Sequence, residues 1–394
     1  MTRAGAALFL GASAMFASMY STQAILPAVE RGLDASPAAA GLTITVVVAG
    51  VAAGAWVAGP LSDRHGRARV MAASAGLICI PTALAGLTPS LPALLVVRAC
   101  KGLLMPGLLV VAVPYVTERF RGRAQGAAMG GYTASLVFGG LVGRVGTALI
   151  ADWTGWRVAL EALVVPTVAG AGAMWAWLPR DPPRGGRRDL RVVVSGHARN
   201  ARLLLNAGAA GATFFAFVGV FTYATHRLTE PAIGLTLGQA GLVYGVWVVG
   251  ALVPFVGHAA VRLGPMRVLP ALVALGGAGA ALTLVGSLPL VILGLGLQAG
   301  AMFSTVTTSQ LLIPRLVGHH RGTATSLHQT IYYAFGGAGA YVPGLWLDRG
   351  WAAVVAVCLA AVAVGVIASL GLGIGRWDTL ADHAADAGER PGPL

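Results

Sequence analysis

Charge is what this sequence has least of. Asp, Glu, Lys and Arg make up 10% of its 394 residues, against roughly 25% in an ordinary soluble domain. With 56% of the chain hydrophobic and a mean hydropathy of +0.76, there is too little polar surface to cover the fold in water. Its apolar surface must meet lipid. Cysteine is also scarce: Cys79, Cys100 and Cys358 lie in apolar stretches, match no metal spacing and leave an odd count, so they read as packing residues. No zinc spacing, nucleotide-binding loop or serine elbow occurs, which argues against an enzyme or an ATP-driven pump. The apolar run after Arg3 lacks a small-residue cleavage site and reads as a first span, not a signal peptide.

What is present is a series of apolar stretches, rich in the 56 glycines that let membrane helices pack closely. A hydrocarbon core of about 30 Å needs roughly 20 apolar residues per helix. The expected spans are 5–28, 38–60, 69–88, 91–117, 124–150, 156–178, 203–228, 237–259, 266–286, 288–314, 322–346 and 350–375. The fold class is therefore all-α, with twelve transmembrane helices.

The net charge of +13 and pI near 10.8 would suggest nucleic acid for a soluble chain. Here the basic residues sit between apolar runs and set topology instead, so no nucleic-acid partner is expected. With the N-terminus cytoplasmic, 20 of the 27 Lys and Arg residues fall in inner segments and four, Arg31, Arg157, Arg227 and Arg349, in outer ones. Both termini are expected inside a bacterial-type inner membrane. The basic stretch 179–202 reads as a cytoplasmic linker between a six-helix bundle at 1–178 and a second at 203–376; the polar tail 377–394 is expected to be disordered.

The two halves echo each other. Arg121-Gly122, Phe138-Gly139-Gly140, Asp152 and Trp156 have counterparts in Arg321-Gly322, Phe335-Gly336-Gly337, Asp348 and Trp351, at offsets of 200, 197, 196 and 195. Repeated six-helix halves are a transporter design, with the solute site at their interface.

The segment Gly59-Pro60-Leu61-Ser62-Asp63-Arg64-His65-Gly66-Arg67-Ala68-Arg69 joins the second and third spans. It resembles the signature loop of the major facilitator superfamily, and with the spans, linker and repeat this resemblance covers nearly the whole chain. Gly66 allows a tight turn. Asp63 sits where a carboxylate can meet the positive end of another helix. The resemblance implies that this helix is the eleventh, starting near Thr323, with Asp63 latching the halves on the cytoplasmic side. Glu118 and Arg121 look like its partner charges; Arg64 and Arg67 belong to the same motif or simply enforce topology. Ala68 departs from the usual basic residue.

A narrower resemblance is to the YnfM-like branch, efflux proteins near the drug/proton antiporters. It rests on Tyr20-Ser21-Thr22-Gln23, Leu26-Pro27, Ser36-Pro37-Ala38-Ala39-Ala40-Gly41-Leu42, Gly139-Gly140-Leu141-Val142-Gly143-Arg144 and Trp156-Arg157. The antiporter Gly-Pro of the fifth helix is replaced by Gly-Gly-x-x-Gly-Arg.

Ionisable groups inside a bilayer usually face a cavity or a partner. Arg98 and Lys101 lie three apart on one face of the fourth span, Arg144 is on the fifth and Glu161 on the sixth. Arg98 resembles the antiporter arginine implicated in proton coupling. Counted from the outer ends, Arg98, Arg144 and Glu161 share a layer roughly 7–12 Å deep. Three readings stand: a Glu161–Arg144 salt bridge with Lys101 snorkelling outward, a surplus positive cavity favouring an anionic solute, or Glu161 as proton carrier. The second half has no deep carboxylate. His328, which titrates in the useful range, is a second proton candidate. Tyr20, Gln23, Gln298, Gln329 and Tyr332 are polar cavity candidates, with Phe214, Phe217 and Tyr223 as an aromatic wall.

The expected function is secondary active transport of a small organic solute by alternating access. Proton-coupled efflux by antiport is the leading form. Proton-coupled uptake of a small solute, anionic ones included, is one alternative and a non-transporting membrane sensor another. No cofactor is expected, the proton gradient supplying energy; the partners are the bilayer, the solute and protons, with the chain a monomer.

Overall fold

The computed structural model describes residues 2–181, 198–252, 262–317 and 321–373. Most of the expected linker 179–202 and all of the expected tail 377–394 lie outside the described residues. Every element among the described residues is helical.

Among the described residues, nine helices are long and apolar enough to cross a membrane: Pro37–His65, Arg67–Ala85, Leu91–Arg119, Ala124–Thr154, Trp156–Trp177, Ala201–Thr229, Pro265–Leu282, Leu288–Leu316 and Trp351–Gly371. They are the second to seventh, ninth, tenth and twelfth spans. Span four among them breaks near Pro106, and the other three are also interrupted. The first runs as Arg3–Met19 and Leu26–Leu33, broken at 20–25. The eighth is Leu237–Val243 continued by the tighter 3-10 stretch Tyr244–Leu252. The eleventh is Arg321–Tyr341 followed by the 3-10 stretch Val342–Arg349. The twelve segments follow the expected order.

Local chemistry explains the boundaries. Ser36 caps the second span through its hydroxyl, which accepts from Ala39 N at 3.3 Å, and Pro37 opens the helix. The same helix ends at Gly66, whose φ of +89° turns the chain into the third span; Gly264 makes the corresponding turn before the ninth span at φ +90°. The duplication read from residue types is thus present in the backbone.

The bundles are built alike. In the first, span one packs on spans five and six; in the second, span seven packs on eleven and twelve. The seam between bundles is span two against eleven and span five against eight, two crossings related by the repeat. Of those nine helices, span seven is the most enclosed: 83% of its most apolar window is buried, against 39% for span twelve, so it faces protein where span twelve faces lipid.

The side of the fold carrying 59–69, 118–123 and 179–181 is called the linker side, its opposite the far side. Bonds between bundles concentrate on the far half. Tyr223 OH donates to Ala340 O at 2.6 Å and lies 3.4 Å from Pro37 O. Thr45 donates to Gly337 O at 2.7 Å, Thr225 to Ala24 O at 3.1 Å and Thr236 to Asp152 at 3.1 Å. His226 Nε2 meets Glu30 at 2.9 Å. On the linker half of span five, by contrast, a Cβ added at Gly126, Gly130 or Gly131 would meet nothing within 4 Å.

Candidate functional site

Arg144 is the centre of the seam. It lies ten residues, about 15 Å, from the far end of its span and is fully buried. Its Nε donates to Gln23 Oε1 at 2.8 Å and its Nη1 to Gly140 O at 2.8 Å. Gln23, in the break of span one, donates through Nε2 to Thr222 of span seven at 3.0 Å. The guanidinium carbon stands 4.0 Å from the Trp247 ring centroid and 4.5 Å from that of Tyr20. A Cβ on Gly140 would lie 2.9 Å from Trp247 Nε1 and 3.2 Å from Arg144 Nη1, so the absence of a side chain there makes room for both.

Two strong donors in this cluster are left over. Arg144 Nη2 and Trp247 Nε1 are buried and have no hydrogen-bond partner among the described residues. Such groups are rare enough to need an explanation. An aromatic shell surrounds them: Trp247 meets Phe303 at 5.0 Å, Phe217 at 5.3 Å and Phe221 at 6.1 Å between centroids. Towards the linker side, Phe214 stacks on Tyr332 at 4.1 Å, with Tyr333 edge-on at 6.1 Å.

The sequence reading grouped Glu161 with Arg144, and the structure corrects this. Glu161 is only partly buried and packs against Gly86 at the end of span three, where a Cβ would meet its Cγ at 2.6 Å. Counting along a helix fixes depth, not the direction a side chain faces. Among the described residues no carboxylate lies within 4 Å of a basic nitrogen of Arg98, Lys101 or Arg144.

Arg98 is occupied by backbone. Its Nε donates to Thr43 O at 2.6 Å and its Nη2 to Met19 O at 2.7 Å, with Ser21 Oγ 3.4 Å from Nη1. Met19 is the last residue of the first helix, so the guanidinium serves a carbonyl that the break would leave without a helical donor. Lys101 is buried and does not snorkel outward; its Nζ donates to Ser18 at 2.7 Å, one residue before. Both cations therefore brace the interruption from which Tyr20 and Gln23 reach Arg144.

On the linker side, Arg67 reaches Glu118 at 2.6 Å and Asp63 at 3.6 Å. Asp63 thus pairs within its own loop. Asp181 meets the N-terminus of span three, its two oxygens accepting from Arg67 N and Ala68 N at 2.8 Å each; the start of the eleventh span, where Asp63 was expected to latch, has 318–320 and the side chains of 321–323 outside the described residues. Arg64 and Arg121 are exposed, and Gly59 is uncrowded.

The remaining candidates scatter. His328 bonds Ser309 at 2.6 Å between spans ten and eleven, inside the second bundle. Gln298 donates to Ala216 O at 3.2 Å. Gln329 is half-buried with its Oε1 unpartnered. Tyr332 and Phe214 join the aromatic shell, whereas Tyr223 closes the far side. Sequence reasoning missed Trp247, Thr222 and Phe303, which look like ordinary residues of apolar helices, and Asp181, which sits at the start of the expected linker.

The chain belongs to the Major Facilitator Superfamily, whose family model matches residues 8–340. It is a membrane transporter, not an enzyme. It is 26% identical over 358 residues to the uncharacterized MFS-type transporter YybF of Bacillus subtilis (strain 168), covering 89% of this chain and 88% of that one. It is 29% identical over 248 residues to the inner membrane transport protein YnfM of Escherichia coli (strain K12), covering 62% and 60%. A bacterial homologue of the human lysosomal transporter Spinster, solved inward-facing and unoccupied, superposes with a TM-score of 0.76 at 19% identity, covering 95% of this chain and 98% of that one.

Proposed function

We propose that this transporter carries a small organic carboxylate by alternating access and exports it from a bacterial cytoplasm in exchange for protons, both termini and the linker side being cytoplasmic. One observation carries the cargo class: Arg144 Nη2 and Trp247 Nε1, buried within one aromatic shell and, among the described residues, unpartnered and with no carboxylate in ion-pair reach of Arg144. A carboxylate offers two acceptor oxygens to such donors, and a charge-assisted bond to guanidinium is among the stronger ones. The neighbouring rings suit an apolar body on the same solute.

Alternating access is supported by the distribution of contacts. The far half of the seam is closed by side-chain bonds, while the linker half of span five is unpacked. Export fits the energetics. An interior-negative potential drives an anion outward by about 2.3 kcal/mol per 100 mV and drives protons inward.

The test is ligand-induced stabilisation of the purified protein by benzoate and by its neutral isostere benzamide, followed by flux in proteoliposomes with an imposed pH gradient. Benzoate stabilises the wild type and not Arg144→Gln, and the anion leaves the compartment that stands for the cytoplasm. Equal stabilisation by benzamide would remove the carboxylate reading. Uptake along the proton gradient would replace export by symport.

A further inference from the structure

A groove of about 490 Å³ lies inside the first bundle, away from the seam. Among the described residues its walls come from spans two, three and four only, including Gly54, Leu61, Val70, Leu77 and Leu103, with His65 and Arg69 at the linker-side end. Leu77 and Leu103 are about half exposed, so the groove opens onto the lipid-facing surface.

Its origin is local. Span four is interrupted at Pro106, which has no N–H to continue the ladder. Beside this break, Ser74 of span three donates to the Leu104 carbonyl at 2.5 Å. This leaves small residues, Gly54, Ala58, Ala73 and Gly107, where larger ones would fill the space.

We infer that this groove holds one acyl chain of an anionic phospholipid from the linker-side leaflet, its phosphate resting on Arg69 and His65. Three observations support this. First, the groove is amphipathic along the membrane normal: cationic at the membrane surface and apolar below. Second, it follows span two from His65 to Gly54 and span three from Arg69 to Leu77. Those are about 16 Å and 12 Å of helix, close to the roughly 15 Å of hydrocarbon in one leaflet. Third, the charge at its mouth is uncompensated locally. Asp63 and Glu118 are engaged by Arg67, while Arg69 and His65 are exposed and make no ion pair among the described residues. Basic pockets between helices on the cytoplasmic side favour anionic headgroups. Because no residue of the second bundle lines the groove, rocking of the bundles does not expose it alternately to the two sides. It is therefore not a second cargo site.

The experiment compares dioleoyl phosphatidylglycerol with dioleoyl phosphatidylcholine on the delipidated full chain, reading lipid retention by native mass spectrometry and the melting temperature. The inference expects one retained phosphatidylglycerol and a Tm about 3–5 °C higher than with phosphatidylcholine. His65→Gln with Arg69→Gln erases the preference while leaving some retention of either lipid. Ala73→Phe, which fills the apolar part, removes retention of both. Inorganic phosphate alone gives no rise, since the chain supplies the anchoring. Equal retention and equal Tm with both lipids on the unaltered protein overturns the inference, and so does a preference that survives the double substitution or a rise matched by inorganic phosphate.

Discussion

The guanidinium of Arg144 and the indole of Trp247 face each other across the two bundles, 4.0 Å from carbon to ring centroid. One comes from span five and the other from span eight, so any rocking of the halves must slide or separate them. A desolvated cation–π contact contributes about 2 kcal/mol. The pair is therefore both a bond in the seam and the place where each partner keeps a donor to spare.

Trp247→Phe keeps the ring and removes the N–H. The expected result is a folded protein whose benzoate-induced stabilisation is reduced but present. Arg144→Gln abolishes it. Loss of a bond to a charged group is worth about 1.5–3 kcal/mol, or roughly 10–100-fold in affinity. Isothermal titration with benzoate measures both.

Arg98→Ala should act on folding first. It strips donors from Thr43 O and Met19 O, which are buried beside the break of span one. The expected loss is about 2–4 kcal/mol, read as a lower Tm and poor yield. Arg98→Lys is not a rescue, because a single ammonium cannot reproduce the planar fork.

Two glycines of span five separate close packing from open space. A Cβ at Gly139 would collide with Ser13 O of span one, while one at Gly130 would touch nothing. Gly139→Ala is expected to destabilise by about 1–3 kcal/mol and Gly130→Ala to leave the Tm unchanged. Thermal melts of the two variants settle this.

Asp181→Ala removes acceptors from two N–H groups at the start of span three. About 1–2 kcal/mol should be lost, with faster proteolysis after 181 as the accompanying sign. Asp181→Asn keeps one acceptor and should fall between.

Glu161→Gln should be silent. The side chain is partly exposed beside Gly86, so pH-driven flux is expected to stay within about twofold of wild type. Abolished pH-driven flux with solute exchange intact would return Glu161 to the coupling mechanism.

The span count and order were legible because each helix must fill the bilayer with apolar residues, and that need is written in composition. The interruptions of spans one, eight and eleven were not, because a broken apolar helix has the composition of a straight one. Arg144 could be found as a buried charge, but its partners Gln23, Tyr20 and Trp247 come from two other spans, and nothing in a one-dimensional pattern pairs them. The cap on span three shows the same limit. The loop chemistry pointed to a carboxylate at a helix start, yet the residue that supplies it, Asp181, is 114 positions from Arg67. Asp63 was read instead against the start of the eleventh span, near Thr323, where 318–320 and the side chains of 321–323 lie outside the described residues.

The far-side closure described above has a mechanical consequence. Apart from His226 with Glu30 and Thr236 with Asp152, its named bonds join hydroxyls to carbonyls. Each neutral link is worth only about 0.5–1.5 kcal/mol net, and neutral links are indifferent to ionic strength. Those neutral links are a zip of small teeth instead of a bolt: a modest push can part them tooth by tooth, in brine as readily as in fresh water.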